Sequence, residues 1–209
     1  LLQLGQFQRV LDETKQLSAD KNSAEISTLR GSAFLALGKA KEAKDLFEQA
    51  LKEKPDFPDA LIGLAKYSLY ERDLEAAMRF AEQAVARNPD HADVWLFKGD
   101  LLRAQGKTDL ALAAYDQVVK LKPNSSSAYI NKASIEIITG KFEAAQADIE
   151  AARKVAPGNL LVFYTQALLD FTQGKHAAAL ESLQKILSKA PDHMPSVLLA
   201  GAVQFALGS

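Results

Sequence analysis

Apolar residues recur along the chain at intervals of three and four residues, and short polar breaks separate one apolar run from the next. Ala111, Tyr115 and Val118 show this spacing in one such run. Because an α-helix completes a turn every ~3.6 residues, residues spaced in this way line one face of a helix. The pattern therefore predicts a series of amphipathic helices and an all-α fold.

The breaks between the predicted helices repeat with a period of 34 residues. Five glycines share one position, namely Gly38, Gly106, Gly140, Gly174 and Gly208, with Arg72 in the remaining place. Five prolines share another, namely Pro55, Pro89, Pro123, Pro157 and Pro191. Glycine readily adopts the left-handed conformation that ends a helix, and proline disfavours helix in the residue before it. We therefore expect the glycine to end a first helix, A, and the proline to end a second helix, B, in each repeat.

One repeat contains a nearly complete set of residues that mark a known family. Counting from Ala92, these are Trp95, Gly99, Gly106, Ala111, Tyr115 and Pro123. At these spacings they resemble the signature of the tetratricopeptide repeat (TPR) family. The resemblance implies a right-handed α-solenoid of TPR helix-turn-helix repeats, with about twelve helices in this chain.

The resemblance extends over residues 1–209 as a single TPR array. It predicts a partial repeat at 1–23, with a helix B from about Gln6 to Ser18 and Lys21 in the place of the proline; five complete repeats at 24–57, 58–91, 92–125, 126–159 and 160–193; and helix A of a truncated repeat at 194–209. The last helix is apolar on most sides, whereas the end of a natural solenoid has a polar outer face. We therefore expect the sequence to be a fragment of a longer array, with possible end-to-end self-association through its open ends.

Composition and charge narrow the possible functions. The chain has 25 Lys and Arg residues against 26 Asp and Glu residues, so no positive excess favours nucleic acid or an anionic membrane. It contains no cysteine, which removes disulfides, thiolate metal sites and cysteine nucleophiles. Its apolar runs are too short to span a bilayer. We predict no nucleic-acid partner and no insertion of this segment into a membrane.

No set of side chains has the spacing of a catalytic or metal site. Gly106, Lys107 and Thr108 look like the end of a phosphate-binding loop, but Leu101 occupies the place of its first glycine, and a turn between helices accounts for the same residues. The histidines, His91, His176 and His193, have no carboxylate at ligand spacing on a helix face. We predict that the chain is not an enzyme and has no cofactor or metal.

Polar residues occupy several positions that the family normally packs. Lys132, Glu136 and Asp170 are examples. One interpretation is a polar ladder between helices, in which Lys132 pairs with Glu136 and Asp170 is reached from a neighbouring repeat. The other is that long side chains extend their charged ends into solvent. We favour the second, because charges are seldom fully buried unless they are paired.

In the TPR family the A helices line a concave groove, and the resemblance implies which positions of this chain do so. In the first two repeats they form a mixed set that includes Glu25, Thr28, Leu29, Ser32, Asp59, Ile62, Gly63 and Lys66, and apolar residues become more frequent toward the C-terminal half. The residues expected to bind a partner are Lys66, Tyr70, Leu96, Phe97, Asp100, Arg103, Ile130, Asn131, Ile137, Tyr164, Leu168, Phe171 and Leu198. We expect a protein or peptide segment with apolar anchors in this groove. The alternative is that the superhelix itself or further repeats cover the strip.

The same transfer of positions argues against one known mode of TPR binding. The clamp for a C-terminal carboxylate would fall on Leu96, Asp100, Asn131, Leu161 and Thr165, which include no cation. No such clamp is therefore predicted.

The resemblance also bears on the cellular role. The repeats are similar to those of long bacterial TPR proteins, often lipoproteins, of exopolysaccharide production and PEP-CTERM protein sorting. This implies an assembly scaffold in the periplasm or cell envelope, with the cytoplasm as the alternative location. A second possible function is the substrate-presenting TPR portion of a larger enzyme, such as a glycosyltransferase. An RNA-binding repeat is disfavoured, because the groove positions include few basic residues.

Overall fold

The structure, a computed structural model, describes residues 6–17 and 23–208 and shows an all-α chain. Within these residues there are twelve helices and no strand. The helices are α1 (Phe7–Leu17), α2 (Ala24–Ala36), α3 (Ala40–Glu53), α4 (Pro58–Tyr70), α5 (Leu74–Arg87), α6 (Ala92–Ala104), α7 (Thr108–Leu121), α8 (Ser126–Ile138), α9 (Phe142–Val155), α10 (Leu160–Thr172), α11 (His176–Leu187) and α12 (Met194–Ala206). The predicted all-α fold of helix-turn-helix repeats is confirmed.

Successive helices pack as antiparallel pairs joined by short turns. The most extensive contacts lie within the pairs α2 with α3, α4 with α5, α8 with α9, and α10 with α11. Ala43, Ala77, Ala145 and Ala179 occupy equivalent positions in the second helix of these pairs, and all four are fully buried. A methyl group at the contact lets the two helix backbones approach closely. The small-residue column thus sets the spacing within each pair.

The turn inside each pair depends on a left-handed residue. The five glycines of the repeating column have φ angles of 72° to 78°, which confirms that this column ends helix A. Arg72, which stands in the remaining place of this column, adopts the same conformation with a φ of 62°. Its neighbour Asp73 donates from N to the Ser68 carbonyl over 2.8 Å, as Lys107 does to Leu102 over 2.9 Å after Gly106. The hydrogen bonds of the turn are therefore kept without glycine.

The turn between pairs contains the proline, and the next helix begins three residues after it. Side chains of one turn also bind the preceding one. Arg87 Nη1 donates to the Pro55 carbonyl over 2.9 Å, and Asn88 Nδ2 donates to the Asp56 carbonyl over 2.9 Å. These bonds supply partners for backbone carbonyl groups of the turn, which lie outside the helices.

The chain divides into two compact units, Leu1–Leu101 and Leu102–Ser209, and each has its own core. Fully buried side chains include Phe47, Leu61 and Val94 in the first unit and Ile149, Leu183 and Ile186 in the second. Small and aliphatic side chains dominate both cores, as the pattern of the sequence predicts.

Helix α1 occupies the place predicted for the helix of the partial repeat. Val10 and Leu11 pack against Ala33 of α2. Ser18 and Lys21, which the prediction also concerned, lie outside the described residues. Among the helices of residues 6–17 and 23–208, none has the length and apolar character that crossing a membrane requires.

Candidate partner-binding face

A cavity of about 410 Å³ lies between α2 and α4 in the first unit. It is lined by Glu25, Thr28, Leu29, Ser32, Phe57, Asp59, Ile62, Gly63 and Lys66. All of these except Phe57 are groove positions that the resemblance implied. Its volume falls in the range of ligand-binding pockets. The first two repeats therefore form a recess, here called the α2/α4 cavity, although the most apolar groove was expected in the C-terminal half.

Helical periodicity places the α4 lining residues on one face. Asp59, Ile62, Gly63 and Lys66 follow the i, i+3, i+4, i+7 spacing. Gly63 contributes only backbone to the wall, and this is a requirement of packing. A Cβ atom at Gly63 would lie 2.4 Å from Cε1 of Phe47, whose buried ring fills the space behind the helix. The cavity is thus bounded at this point by bare helix backbone.

The cavity also contains a hydroxyl group without a partner. Thr28 is only 6% exposed, and its Oγ1 has no hydrogen bond with any described residue. Other buried helical threonines behave differently: Thr14 donates to the Val10 carbonyl over 2.6 Å and Thr165 to the Leu161 carbonyl over 2.8 Å. A buried hydroxyl without a partner costs about 1–3 kcal/mol. This cost falls on the stability of the first unit.

Three charged residues stand around the rim of the cavity. Glu25 forms an ion pair with Lys54, and this hydrogen bond lowers the pKa of Glu25 and raises the pKa of Lys54. Asp59 is exposed at the first turn of α4, and Lys66 is exposed two turns later. The Lys66 Nζ atom lies 5.9 Å from the centroid of the Phe97 ring. The rim therefore has one carboxylate that is paired with a lysine, Glu25, and two separate charges of opposite sign, Asp59 and Lys66.

The groove residues predicted in the first unit are only partly brought together. Of these, Lys66 alone lines the cavity. Tyr70 is exposed at the end of α4, and Leu96, Phe97 and Asp100 are half-buried on α6. Phe97 is partly buried and packs against the core between α4, α5 and α6, so only part of its ring is accessible to a partner.

In the second unit, two predicted apolar anchors are buried, and this corrects the prediction. Ile130 and Ile137 are each 7% exposed and belong to the core between α8, α9 and α10. Their positions face neighbouring helices, so they present almost no surface to a partner. Asn131 is half-buried, and Arg103 is exposed with its Nε donating to the Tyr115 hydroxyl over 3.4 Å.

The remaining predicted anchors lie on α10 and α12. Tyr164, Leu168 and Phe171 are half-buried and pack against the core beneath α10, α11 and α12. Leu198 is 67% exposed and is the most accessible of the predicted apolar groove residues in this unit. The C-terminal strip is therefore less continuous than its composition predicted.

The polar residues at packing positions form a buried cluster, and the solvent-exposed interpretation is wrong for them. Lys132 Nζ lies 2.9 Å from Asp116 Oδ1 and 3.3 Å from Asp148 Oδ2. Glu136 is 7% exposed and lies beside Asp148. Burial and the charge of Asp148 raise the pKa of Glu136 to about 7, and burial also raises the pKa of Asp148. Lys132 thus pairs with carboxylates of the flanking helices α7 and α9 instead of pairing with Glu136.

Asp170 belongs to a second buried polar group in the same unit. Gln166 Nε2 donates to Asp170 Oδ1 over 3.3 Å, and Gln166 Oε1 accepts from Arg153 Nη2 over 2.9 Å. Gln146 exchanges hydrogen bonds with Gln166 across the two helices. Burial raises the pKa of Asp170. Asp170 is therefore linked to α9 of the preceding repeat indirectly, through the Gln166 amide.

The candidate chemical motifs have structural roles. Gly106 is the left-handed residue of a helix-helix turn, as the structural interpretation of that motif required. His193 meets Tyr164 edge to face, with ring centroids 6.1 Å apart, and His176 lies against Phe171 at 5.5 Å. These histidines pack at the turns around α11.

Comparison with known families agrees with this geometry. One tetratricopeptide repeat family model matches residues 34–101 and 68–131, and a second matches residues 132–195. The matches together cover well over half of the chain. The chain is a tetratricopeptide repeat protein. The helix pairs with a left-handed glycine in the turn and alanine at the contact are thus TPR units.

Solved TPR structures share the fold. TTC0263, a thermophilic TPR protein of Thermus thermophilus, is 22% identical with a TM-score of 0.70, covering 87% of this chain and 99% of that one. PilW, a widely conserved type IV pilus biogenesis factor, is 22% identical with a TM-score of 0.79, covering 88% of this chain and 86% of that one. YrrB, a TPR protein with an unusual peptide-binding site, is 21% identical with a TM-score of 0.62, covering 88% and 95%. At these identities the likeness concerns the fold. No curated protein matches the sequence.

Proposed function

We propose that this TPR protein, as a member of a family of scaffolds that are typically non-catalytic, binds an extended segment of a partner protein in the α2/α4 cavity. The observation that supports the proposal is the cavity of about 410 Å³ formed by groove positions of two successive A helices. A concave surface of this size can bury several side chains of a peptide.

The lining of the cavity has the character of a peptide site. Leu29, Phe57 and Ile62 supply apolar walls, and Ser32 supplies a hydroxyl group. Apolar surface provides most of the favourable free energy of binding, and a few polar groups fix orientation. An extended segment offers both kinds of group, because its backbone amides and carbonyls are free to form hydrogen bonds.

Exposed apolar residues outside the cavity extend the proposed binding surface within each unit. Tyr70 is exposed on α4 in the first unit, and Leu198 is exposed on α12 in the second. Met194 and Phe205 are also exposed on α12.

We propose that this apolar face of α12 supports end-to-end self-association, since large exposed apolar patches mark interaction sites. Light scattering at high protein concentration should show an assembly that Phe205→Glu abolishes, and a monomer under all conditions would contradict this.

We further propose that the scaffold acts in assembly at the bacterial cell envelope. Support comes from the fold it shares with PilW, a pilus biogenesis factor, and from the resemblance to TPR lipoproteins of exopolysaccharide production and PEP-CTERM sorting. Fractionation of the native cell tests this proposal. Recovery of the protein with the envelope or periplasm supports it, and recovery in the cytoplasm alone contradicts it.

Selection of peptides from a random dodecapeptide display library tests binding in the cavity. Leu29 is 38% exposed on the cavity wall, so Leu29→Glu should leave the fold intact while placing a charge in the site. Leu110→Glu is a matched control, because Leu110 is 58% exposed on α7. We expect peptides selected on the wild-type protein to bind the Leu110 variant and to lose binding to the Leu29 variant. Equal binding to both variants would reject the α2/α4 cavity as the site.

A further inference from the structure

Two charged side chains mark the ends of the α4 wall of the α2/α4 cavity. Asp59 and Lys66 are seven residues apart, which places them on one face and about 10 Å apart along the helix axis. Neither forms an ion pair with a described residue, whereas Glu25 is engaged by Lys54. A carboxylate and an ammonium group are therefore available at opposite ends of one cavity.

The part of the wall between these charges is apolar and lacks a side chain at one point. Ile62 lies between Asp59 and Lys66 on α4, and Leu29 of α2 lines the same cavity. At Gly63 the wall consists of backbone alone, because the ring of Phe47 occupies the place of a Cβ atom. The middle of the cavity is thus suited to a large apolar side chain of a ligand.

We propose that the segment bound in the α2/α4 cavity carries a basic residue, a large apolar residue and an acidic residue at alternate positions. This inference rests on the proposed function. The basic side chain binds Asp59, the apolar side chain fills the space beside Ile62, and the acidic side chain binds Lys66. Alternation follows from strand geometry, because residues i, i+2 and i+4 of an extended chain share one face.

The dimensions of an extended segment agree with this arrangement. Four residues of extended chain span about 13 Å at ~3.3 Å per residue. The two charges on α4 are separated by about 10 Å of helix axis. The flexible four-carbon stem of Lys66 covers the difference, whereas a spacing of two residues would be too short to reach both charges.

Binding of four labelled peptides, measured by fluorescence polarisation at low salt, tests the proposal. Their central sequences are Lys-Ser-Phe-Ser-Glu, Lys-Ser-Phe-Ser-Lys and Glu-Ser-Phe-Ser-Glu, and a fourth has Ala in place of Phe in the first. The wild-type protein should prefer the first peptide by a factor of about 5 over the other two, and the Ala peptide should bind most weakly. Peptides with like charges at both ends make the test independent of chain direction.

Charge reversal in the protein should change the order of the peptides. Lys66→Glu makes both ends of the cavity negative and should favour the peptide with two lysines, while Asp59→Lys should favour the peptide with two glutamates. The matched controls are Lys41→Glu and Asp45→Lys, which make the same charge changes at exposed positions of α3. The controls should keep the wild-type order.

Two results would overturn the proposal. One is an unchanged order of the three peptides in the Asp59 and Lys66 variants, and the other is no binding of the first peptide up to about 1 mM. Either failure is distinct from failure of the proposed function. Library peptides that depend on Leu29 but are indifferent to these charges would keep the cavity as a binding site and reject only its charge pattern.

Discussion

The buried carboxyl group of Glu136 should make the second unit less stable as the pH rises through neutrality. Glu136 on α8 is 7% exposed and faces Asp148 of α9, with Lys132 beside both. Lys141 also acts on Glu136, and Asp116 acts on Asp148. Burial is the largest cause of the raised pKa of Glu136, and the negative charge of Asp148 adds to it. The positive charge of Lys132 opposes the shift without cancelling it.

The sign and size of the effect follow from proton linkage. The pKa of Glu136 is raised from 4.5 to about 7, so between these values the folded state binds more protons than the unfolded state. The stabilisation is fully present below pH 4.5 and is lost as the pH rises through about 7. A shift of about 2.5 units corresponds to about 3 kcal/mol. Glu136 and Asp148 titrate as a pair, so the loss of stability belongs to both carboxyl groups.

Replacing Glu136 with glutamine tests this reasoning. Glu136→Gln keeps the shape and a hydrogen-bond donor toward Asp148 but cannot ionise. Urea unfolding at pH 5.5 and pH 8.0 should show that the wild-type protein loses about 2 kcal/mol more than the variant over this range. Hydrogen exchange should locate the difference in α8 and α9. Glu143→Gln, at an exposed position of α9, is the control and should behave as wild type. An equal pH dependence in wild type and the Glu136 variant would refute the mechanism.

Three further substitutions test the packing of the first unit by thermal and urea unfolding. Gly63→Ala should cost about 1–3 kcal/mol, because the new methyl group overlaps the Phe47 ring. Gly158→Ala is the control and should change stability little, because a Cβ atom added there meets nothing within 4 Å. Equal effects of the two substitutions would contradict the clash. Arg72→Gly should stabilise by about 0.5–1 kcal/mol by relieving a φ of 62°, and destabilisation would show that the arginine side chain compensates. Trp95→Phe should cost about 1 kcal/mol, since the indole N–H donates over 2.7 Å to the Pro89 carbonyl in the preceding turn. An unchanged stability would show that this hydrogen bond contributes nothing.

Much of the fold could be predicted from local sequence patterns. The glycine column ends helix A because its residues adopt a positive φ, which is a property of the residue itself. Arg72 is the informative exception, since it adopts the same conformation where its own preference opposes it. The hydrogen bonds of the turn and the packing of α4 on α5 impose that conformation, and no residue near Arg72 in the sequence indicates it.

The candidate site was predicted less well, because burial depends on residues that are distant in sequence. The family resemblance indicated which positions face the groove, and eight of the nine residues around the α2/α4 cavity are among them. It did not indicate that Ile130 and Ile137 would be covered by α9 and α10. Nor did it indicate that the ring of Phe47 would occupy the place of a Cβ atom at Gly63.

The sequence by itself therefore determined the helices, their turns and their pairing, because helix periodicity, glycine and proline act over a few residues. Only the tertiary structure decided which polar groups are buried together. Lys132, Glu136 and Asp148 come from two different helices, and their ionisation depends on distances that helix packing sets. The same holds for the cavity, because its lining combines residues of α2 with residues of α4 that are distant in the sequence.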